Sequence, residues 1–415
     1  MPFQLRLLAI VGLIFATSLA ASAGTPDTSG TSTTGTSDFW TQPKLAGDLD
    51  GFRPLMQKYG LTMGLDWVAQ GFANFDGGIH RGTTAASTVD LKFTLDTQTL
   101  AGWPGGTFYL DLQDHAGPDP SRNLVGDAQE FTGWNSRPFF HADEFWYQQT
   151  LFNNLVRVKV GKTDANDDFN YVDNSQSFLA SSAQNSTTIF ILPTYPLPAT
   201  CAEILVTPTH LPYFSIGAFD TEQSDKFLDF TGASQDSIFP KNGLFIIGET
   251  GLIWKHLASW QADGNLRLGA WDDTGTFAKL NGGETHGTKG FYCVFDQTLW
   301  KPDWDASETR GVRMFMEYGE TPGDVSLIDK QFGGGFTWTG LSPDRPGDII
   351  GIGPEYVNLS DKAGLPKPFE LAIEAFYQYQ VAPWVNIQPD LQYICHPGGV
   401  YSNALVATLQ LTVHF

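Results

Sequence analysis

The sequence has no stretch of about 18 or more consecutive apolar residues, the length a helix needs to cross a bilayer, since its longest apolar run is the short one from Leu7 to Leu19. Only helices and closed β-barrels satisfy their backbone groups in lipid, so a membrane-resident form of this chain has to be a barrel. Charge is sparse: Asp, Glu, Lys and Arg make up 17% of 415 residues, and 24 basic against 45 acidic side chains give a net charge of −21. That balance argues against a nucleic-acid partner, which requires a basic footprint. Cysteine is limited to Cys201, Cys293 and Cys395. The odd count permits one disulfide and a free thiol, no metal-ligand spacing is present, and the three read as incidental.

Catalytic signatures are missing too. There is no G-x-S-x-G, H-E-x-x-H or G-x-x-x-x-G-K-[ST], and Gly351-Ile352-Gly353 runs into Pro354 instead of completing a dinucleotide fingerprint. No enzyme activity, cofactor or metal is expected. Asp164-Ala165-Asn166-Asp167-Asp168-Phe169 begins like a calcium loop, but Phe169 stands where the turn glycine belongs and Ser175 where the bidentate Glu belongs. An EF-hand is excluded; a weak cation site in an acidic external loop stays open.

What the chain does have is glycine and aromatic residues: 44 Gly, 31 Phe, 13 Tyr and 12 Trp. Met1–Ala23 reads as a secretory signal peptide, with Arg6, the apolar run Leu7–Leu19 and an A-x-A site at Ala21-Ser22-Ala23. Residues 24–47, rich in Thr, Ser and Gly, read as a flexible linker. Residues 48–60 place Leu49, Phe52, Leu55, Met56 and Tyr59 at helical spacing before Gly60, which predicts a short periplasmic helix near a barrel mouth.

From residue 61 to 415 strand follows strand, at 61–75, 88–99, 106–114, 141–151, 155–163, 202–207, 211–220, 243–254, 264–272, 289–299, 310–319, 330–340, 348–358, 369–380, 384–394 and 404–415. Sixteen is an even number, as a bacterial single-chain barrel requires. Long polar connections at 76–87, 115–140, 164–201, 221–242 and 273–288 alternate with shorter ones such as Phe152-Asn153-Asn154 and Pro208-Thr209-His210. This is the pattern of external loops and periplasmic turns. The closing segment Ala404–Phe415 alternates Leu405, Ala407, Leu409, Leu411, Val413 and Phe415 with a mostly polar set, and it stops on an aromatic, as the last strand of outer-membrane barrels typically does.

The same alternation assigns the faces. Charges at strict period two beside Leu and Val suit a wet lumen opposite a lipid face, where Arg or Lys near midplane would cost about 2–4 kcal/mol. The predicted lumen set is Asp90, Lys92, Asp111, Glu144, Arg157, Lys159, Arg267, Arg313, Glu317, Glu370, Glu374, Asn386, Gln388, Asp390 and Gln392, with Trp146 and Trp271 as inward stacking platforms. Both signs of charge, amides and aromatic faces fit neutral polyhydroxylated solutes, whose hydroxyls take charge-assisted hydrogen bonds while their C–H faces stack.

Several segments carry a family resemblance: Gly102-Trp103-Pro104-Gly105-Gly106-Thr107-Phe108, Val160-Gly161-Lys162-Thr163-Asp164-Ala165-Asn166-Asp167-Asp168-Phe169, Leu192-Pro193-Thr194-Tyr195-Pro196, Asp296-Gln297 and Arg345-Pro346-Gly347-Asp348-Ile349-Ile350-Gly351-Ile352-Gly353. The chain thereby resembles the OprB-type carbohydrate-selective porins. The resemblance implies an all-β, sixteen-stranded antiparallel transmembrane barrel in the bacterial outer membrane, in contact with its lipid. It also implies passive uptake of glucose and related small sugars through an eyelet of arginines, acidic residues and an aromatic. The alternatives are a general diffusion porin, an outer-membrane barrel enzyme, or a secreted β-sandwich. Homo-oligomerisation leaves no mark on strand parity and stays open.

Overall fold

A computed structural model describes residues 39–208, 212–221, 243–255, 262–305 and 307–415. The expected signal peptide, most of the expected 24–47 linker, the 221–242 connection beyond Thr221 and the expected turn at Thr209-His210 lie outside the described residues. The strands are β1 (Leu61–Gly78), β2 (Gly82–Asp96), β3 (Gly106–Ala116), β4 (Phe139–Leu151), β5 (Val156–Thr163), β6 (Ala199–Val206), β7 (Tyr213–Asp220) and β8 (Leu244–Trp254). They continue with β9 (Gly264–Ala278), β10 (Glu284–Trp300), β11 (Gly311–Glu320), β12 (Ile328–Thr339), β13 (Ile349–Leu359), β14 (Phe369–Ala382), β15 (Val385–Cys395) and β16 (Ser402–His414). Each pairs antiparallel with the next, and β1 pairs with β16 from Asp66↔His414 to Gly78↔Ser402, so the sheet closes and leaves no edge. Among the described residues no helix is long and apolar enough to span a membrane.

The predicted number and order of strands stand. Two expected long loops do not: 76–87 and 273–288 are mostly strand, with only Ile79–Arg81 and Lys279–Gly283 left as turns. Thr83, Thr84 and Ser87 give the first stretch a polar composition, yet β-branched Thr fits a pleated wall, and polar side chains are at home where strands rise beyond the lipid.

The outer face is apolar, and the buried charges are inside. Phe108, Phe145, Val160, Ile204, Phe214, Ile216, Leu268, Phe291, Phe332, Ile352, Leu391 and Leu409 are exposed on the outside, whereas Asp90, Asp111, Lys159, Glu203, Glu249, Asp296, Glu317 and Glu374 are buried inside. Burying apolar residues inside and charges outside would have been the soluble solution, so this inversion points to lipid as the outer solvent.

The expected helix over 48–60 is shorter. It is α1, Phe52–Gln57, because Leu49, Asp50 and Gly51 take positive φ of 55°, 54° and 86°. None of its residues is buried, with Phe52 and Leu55 exposed, so their helical spacing did not mark a core-facing stripe. Arg53 holds it instead, donating to the carbonyls of Met63 and Phe415, both at 2.7 Å. The preceding turns are also docked: Leu45 N–H donates to His414 O at 2.8 Å, and Trp384 Nε1 donates to Phe39 O at 3.1 Å. This segment braces the β1–β16 seam. Arg53→Ala removes two charge-assisted bonds worth about 1.5–3 kcal/mol each and should lower the temperature at which the detergent-solubilised barrel loses its compact gel mobility. An unchanged transition would show that the seam does not depend on the brace.

Candidate functional site in the lumen

The loop from Gly117 to Pro138 and the loop from Asp164 to Pro198 both turn into the barrel. Backbone N–H groups that leave the sheet need new acceptors, and inward carboxylates of the wall provide them. Glu370 accepts from the N–H groups of Ala128 at 2.8 Å and Gln129 at 3.0 Å. Glu374 accepts from Leu179 N–H at 2.6 Å and Ala180 N–H at 2.9 Å. Glu249 takes Asn170 N–H at 2.9 Å, and Asp296 takes Asp173 and Asn174 N–H at 3.2 and 2.8 Å. Amides help: Gln388 Nε2 donates to Ser177 O at 2.8 Å and Gln392 Nε2 to Phe131 O at 2.7 Å. Side-chain space is made for these anchors. Gly269 has no Cβ, which would sit 2.0 Å from the Tyr292 ring, so Tyr292 lies across it and its hydroxyl donates to Glu249 at 2.8 Å.

The second loop also brings apolar side chains inward. Phe169, Val172, Phe178, Ile189, Ile191 and Leu192 pack against Phe219, Phe245, Ile247, Tyr292, Phe315 and Phe376 of the wall. Part of the interior is therefore a dry seam, which parity alone did not predict.

This divides the predicted lumen residues into groups. Glu370, Glu374, Gln388 and Gln392 lie beneath the infolded loops and hold them, so they are anchors and do not face open water. Asp390 is buried beside them, in hydrogen-bond contact with Gln392 at 3.2 Å. Glu317 is buried on β11, two strands from Glu355, with Gly333 between them. Trp271, expected as a stacking platform, is 3% exposed and packs edge-on against Phe190 at 6.2 Å and against Phe245 at 5.8 Å. Asn386 is half-buried opposite Thr412, near the periplasmic end. The loop that covers these positions is distant in sequence, which is why strand parity placed them on the right face but not in the right environment.

Of the remaining residues, those on β2 to β5 share one side of the lumen. On β2 to β6, Lys92 faces Asp111 across the ladder, Asp111 faces Glu144, and Lys159 faces Glu203. Asp90 accepts from Gln113 Nε2 at 2.7 Å. Trp146 stacks on Tyr109 with centroids 5.0 Å apart, donates its indole N–H to Glu144 at 2.9 Å, and carries the Lys159 ammonium 5.0 Å above its ring. Lys159 lies 3.8 Å from Glu203, and both Lys159 and Arg157 pair with Asp168 of the infolded loop. Lys92 pairs with Asp66 at 3.0 Å, and Asp66 with His414 at 2.7 Å. On β9, Arg267 donates to Tyr171 O at 2.6 Å and pairs with Asp173 at 2.9 Å and Asp296 at 3.3 Å. Arg313 stands apart, donating to Thr309 O at 2.8 Å.

Tyr109, Asp66, Glu203, Glu249 and Asp296 were missed, although each occupies an inward parity position that a complete count would have included. Tyr171 and Asp173 had no signal and that of Asp168 pointed to a cation loop, since their roles depend on the loop turning inward. In the calcium-like stretch the Asp168 carboxylate is occupied by Arg157 and Lys159, and among the described residues no group of three or more His, Cys, Asp or Glu side chains is placed to hold a metal. Cys201, Cys293 and Cys395 are all free thiols.

Burial works to raise the Asp168 pKa, but Lys159 and then Arg157 outweigh it and hold it at about 2. A carboxylate whose folded pKa lies below the unfolded value stabilises fully above the unfolded pKa of about 3.9 and loses that contribution as pH falls through the folded one. Thermal stability of the solubilised barrel should therefore lose this contribution only as pH falls from about 4 towards 2, and Asp168→Asn should remove that part of the profile. The same acid slope in the variant would contradict the assignment.

A closed barrel, apolar outside and charged within, narrowed by loops tied to its inner wall, is an outer-membrane porin. This chain belongs to the OprB family of carbohydrate-selective porins: the profile "Carbohydrate-selective porin, OprB family" matches residues 80–415. Porin B of Pseudomonas aeruginosa is 25% identical, covering 89% of this chain and 91% of that protein. The putative porin QuiX of Acinetobacter baylyi is also 25% identical, covering 91% and 95%. The high-pH structure of Pseudomonas putida OprB superposes with a TM-score of 0.79 at 21% identity, over 91% of this chain and 100% of that one, and so shares the fold. The protein is a carbohydrate-selective channel of the bacterial outer membrane.

Proposed function

We propose that glucose and related small neutral sugars pass this barrel by passive diffusion, with selection at the patch formed by Tyr109, Trp146, Arg157, Lys159, Asp168 and Lys92. The supporting observation is the stacked Tyr109–Trp146 pair lying beside the Arg157–Asp168–Lys159 cluster. An aromatic ledge takes the C–H face of a pyranose while flanking charges of both signs exchange hydrogen bonds with its hydroxyls. The charges are already paired with one another, so a sugar competes for bonds instead of meeting a naked ion. Binding is thereby kept weak enough for release, as conduction requires. No residue in this arrangement is asked to make or break a covalent bond.

In planar bilayers, glucose should reduce the small-ion current of the purified protein in a saturable way. Trp146→Ala should weaken that block about tenfold, in keeping with about 1–2 kcal/mol for one aromatic contact. A current indifferent to every sugar would favour a general diffusion porin, the alternative that the charged lumen also accommodates.

A further inference from the structure

Above the anchoring carboxylates, on the outer side, the two infolded loops are stapled to each other. Ser181 N–H donates to Glu130 O at 3.0 Å, Gly133 N–H to Leu179 O at 2.8 Å, and the Ser181 hydroxyl to Thr132 O at 3.2 Å. Between them they leave a cavity of about 330 Å³, closed on a third side by Ser326–Ile328 from the β11–β12 connection. Trp146, Arg157, Lys159 and Lys92 do not line it, so it is separate from the patch described above.

We infer that this vestibule cavity, walled by Glu130, Asn135 and Gln129 on one loop and by Asn185, Phe190 and Tyr195 on the other, is a docking site for a neutral mono- or disaccharide before it enters the channel. This inference rests on the sugar-channel reading and adds a second site to it. Its volume lies at the lower end of the roughly 300–1,000 Å³ usual for small-molecule sites, which suits one or two sugar rings better than a longer glycan.

The lining matches that ligand. Side-chain amides present the paired donors and acceptors that neighbouring hydroxyls require, and the Glu130 carboxylate adds acceptors. The Phe190 and Tyr195 rings offer apolar faces for C–H contact. Two acidic residues, Asp119 and Glu130, are balanced by Arg122 and Arg137, so the cavity has no net charge to favour an ion over a neutral solute. Glu130 is exposed while the chain around it is buried, and its backbone sits at φ 57°, a conformation non-glycine residues seldom adopt. Gln129 is 2% exposed, and its Nε2 donates to Glu370 at 3.1 Å, which fixes this side of the cavity wall.

The test is sugar block of reconstituted single channels, with glucose or maltose added to one face at a time. In Glu130→Gln and, separately, Asn185→Ala, the ratio of outer-face to periplasmic-face on-rates should fall about five-fold, as loss of one hydrogen bond would produce. The backbone bonds that join the loops survive in both variants, and heat-modifiable gel mobility confirms a folded barrel. A ratio equal to wild type in both variants overturns the vestibule site while leaving the sugar channel intact. Absence of sugar block in the wild type itself overturns both.

Discussion

Replacing Glu370 and Glu374 together with alanine should raise single-channel conductance about two-fold or more and abolish sugar block, because the narrow part of the channel is held in place by those two carboxylates. Glu370 accepts four hydrogen bonds, from Ala128, Gln129 (backbone and side chain) and Gly398, and Glu374 accepts two, from Leu179 and Ala180. Each charge-assisted bond contributes about 1.5–3 kcal/mol, and its loss strands a buried N–H that only water entering the seam can satisfy. The loops then gain from swinging out to solvent. The dry contact of Phe178 with Phe315 and Phe376 opposes that release, so Glu374→Ala alone should show the smaller effect. Glu374→Gln keeps one acceptor oxygen and should fall between. Conductance and block unchanged in the double variant would mean that the apolar seam suffices to hold the loops.

The second large effect is expected at Lys159. Its side chain is 4% exposed, and its ammonium is shared among Asp168, Glu203 and the Trp146 ring. Lys159→Ala leaves two buried carboxylates without their common cation, a loss of about 3–5 kcal/mol for a broken buried pair. The cost should appear as a lower unfolding temperature, a shift of ion selectivity towards cations, and sugar affinity reduced about tenfold. Lys159→Arg restores the charge but spreads it over a planar fork, so stability should recover more than sugar affinity. Affinity and selectivity both unchanged in Lys159→Ala would remove the charged patch from the pathway.

The wall was legible because its signal is local. Runs such as Val89-Asp90-Leu91-Lys92-Phe93 and Val385-Asn386-Ile387-Gln388 state their two faces in the order of the residues, and a closed barrel adds one constraint, an even strand count. The interior was half legible. Parity put Glu374 and Trp271 on the inner face, but a segment some two hundred residues from Glu374 covers it, and nothing in the strand records that. The chemistry of Asp168 was misleading for the same reason: adjacent carboxylates suggested a cation loop, and the cations turned out to be Arg157 and Lys159 on the strand just before it. Loop length was read too simply, since Thr-rich polar stretches proved to be the outer ends of strands. The helix at 52–57 was found for its apolar spacing but is held by a single arginine.

The account stands or falls on what the polar interior lets through. Liposomes carrying the purified protein, swollen in a panel of solutes of similar mass, measure that directly. Glucose and related pyranoses should permeate faster than amino acids, organic acids or linear polyols of equal size, and Trp146→Ala should erase the difference. Rates that follow solute size alone, with no advantage for a sugar ring, would contradict it.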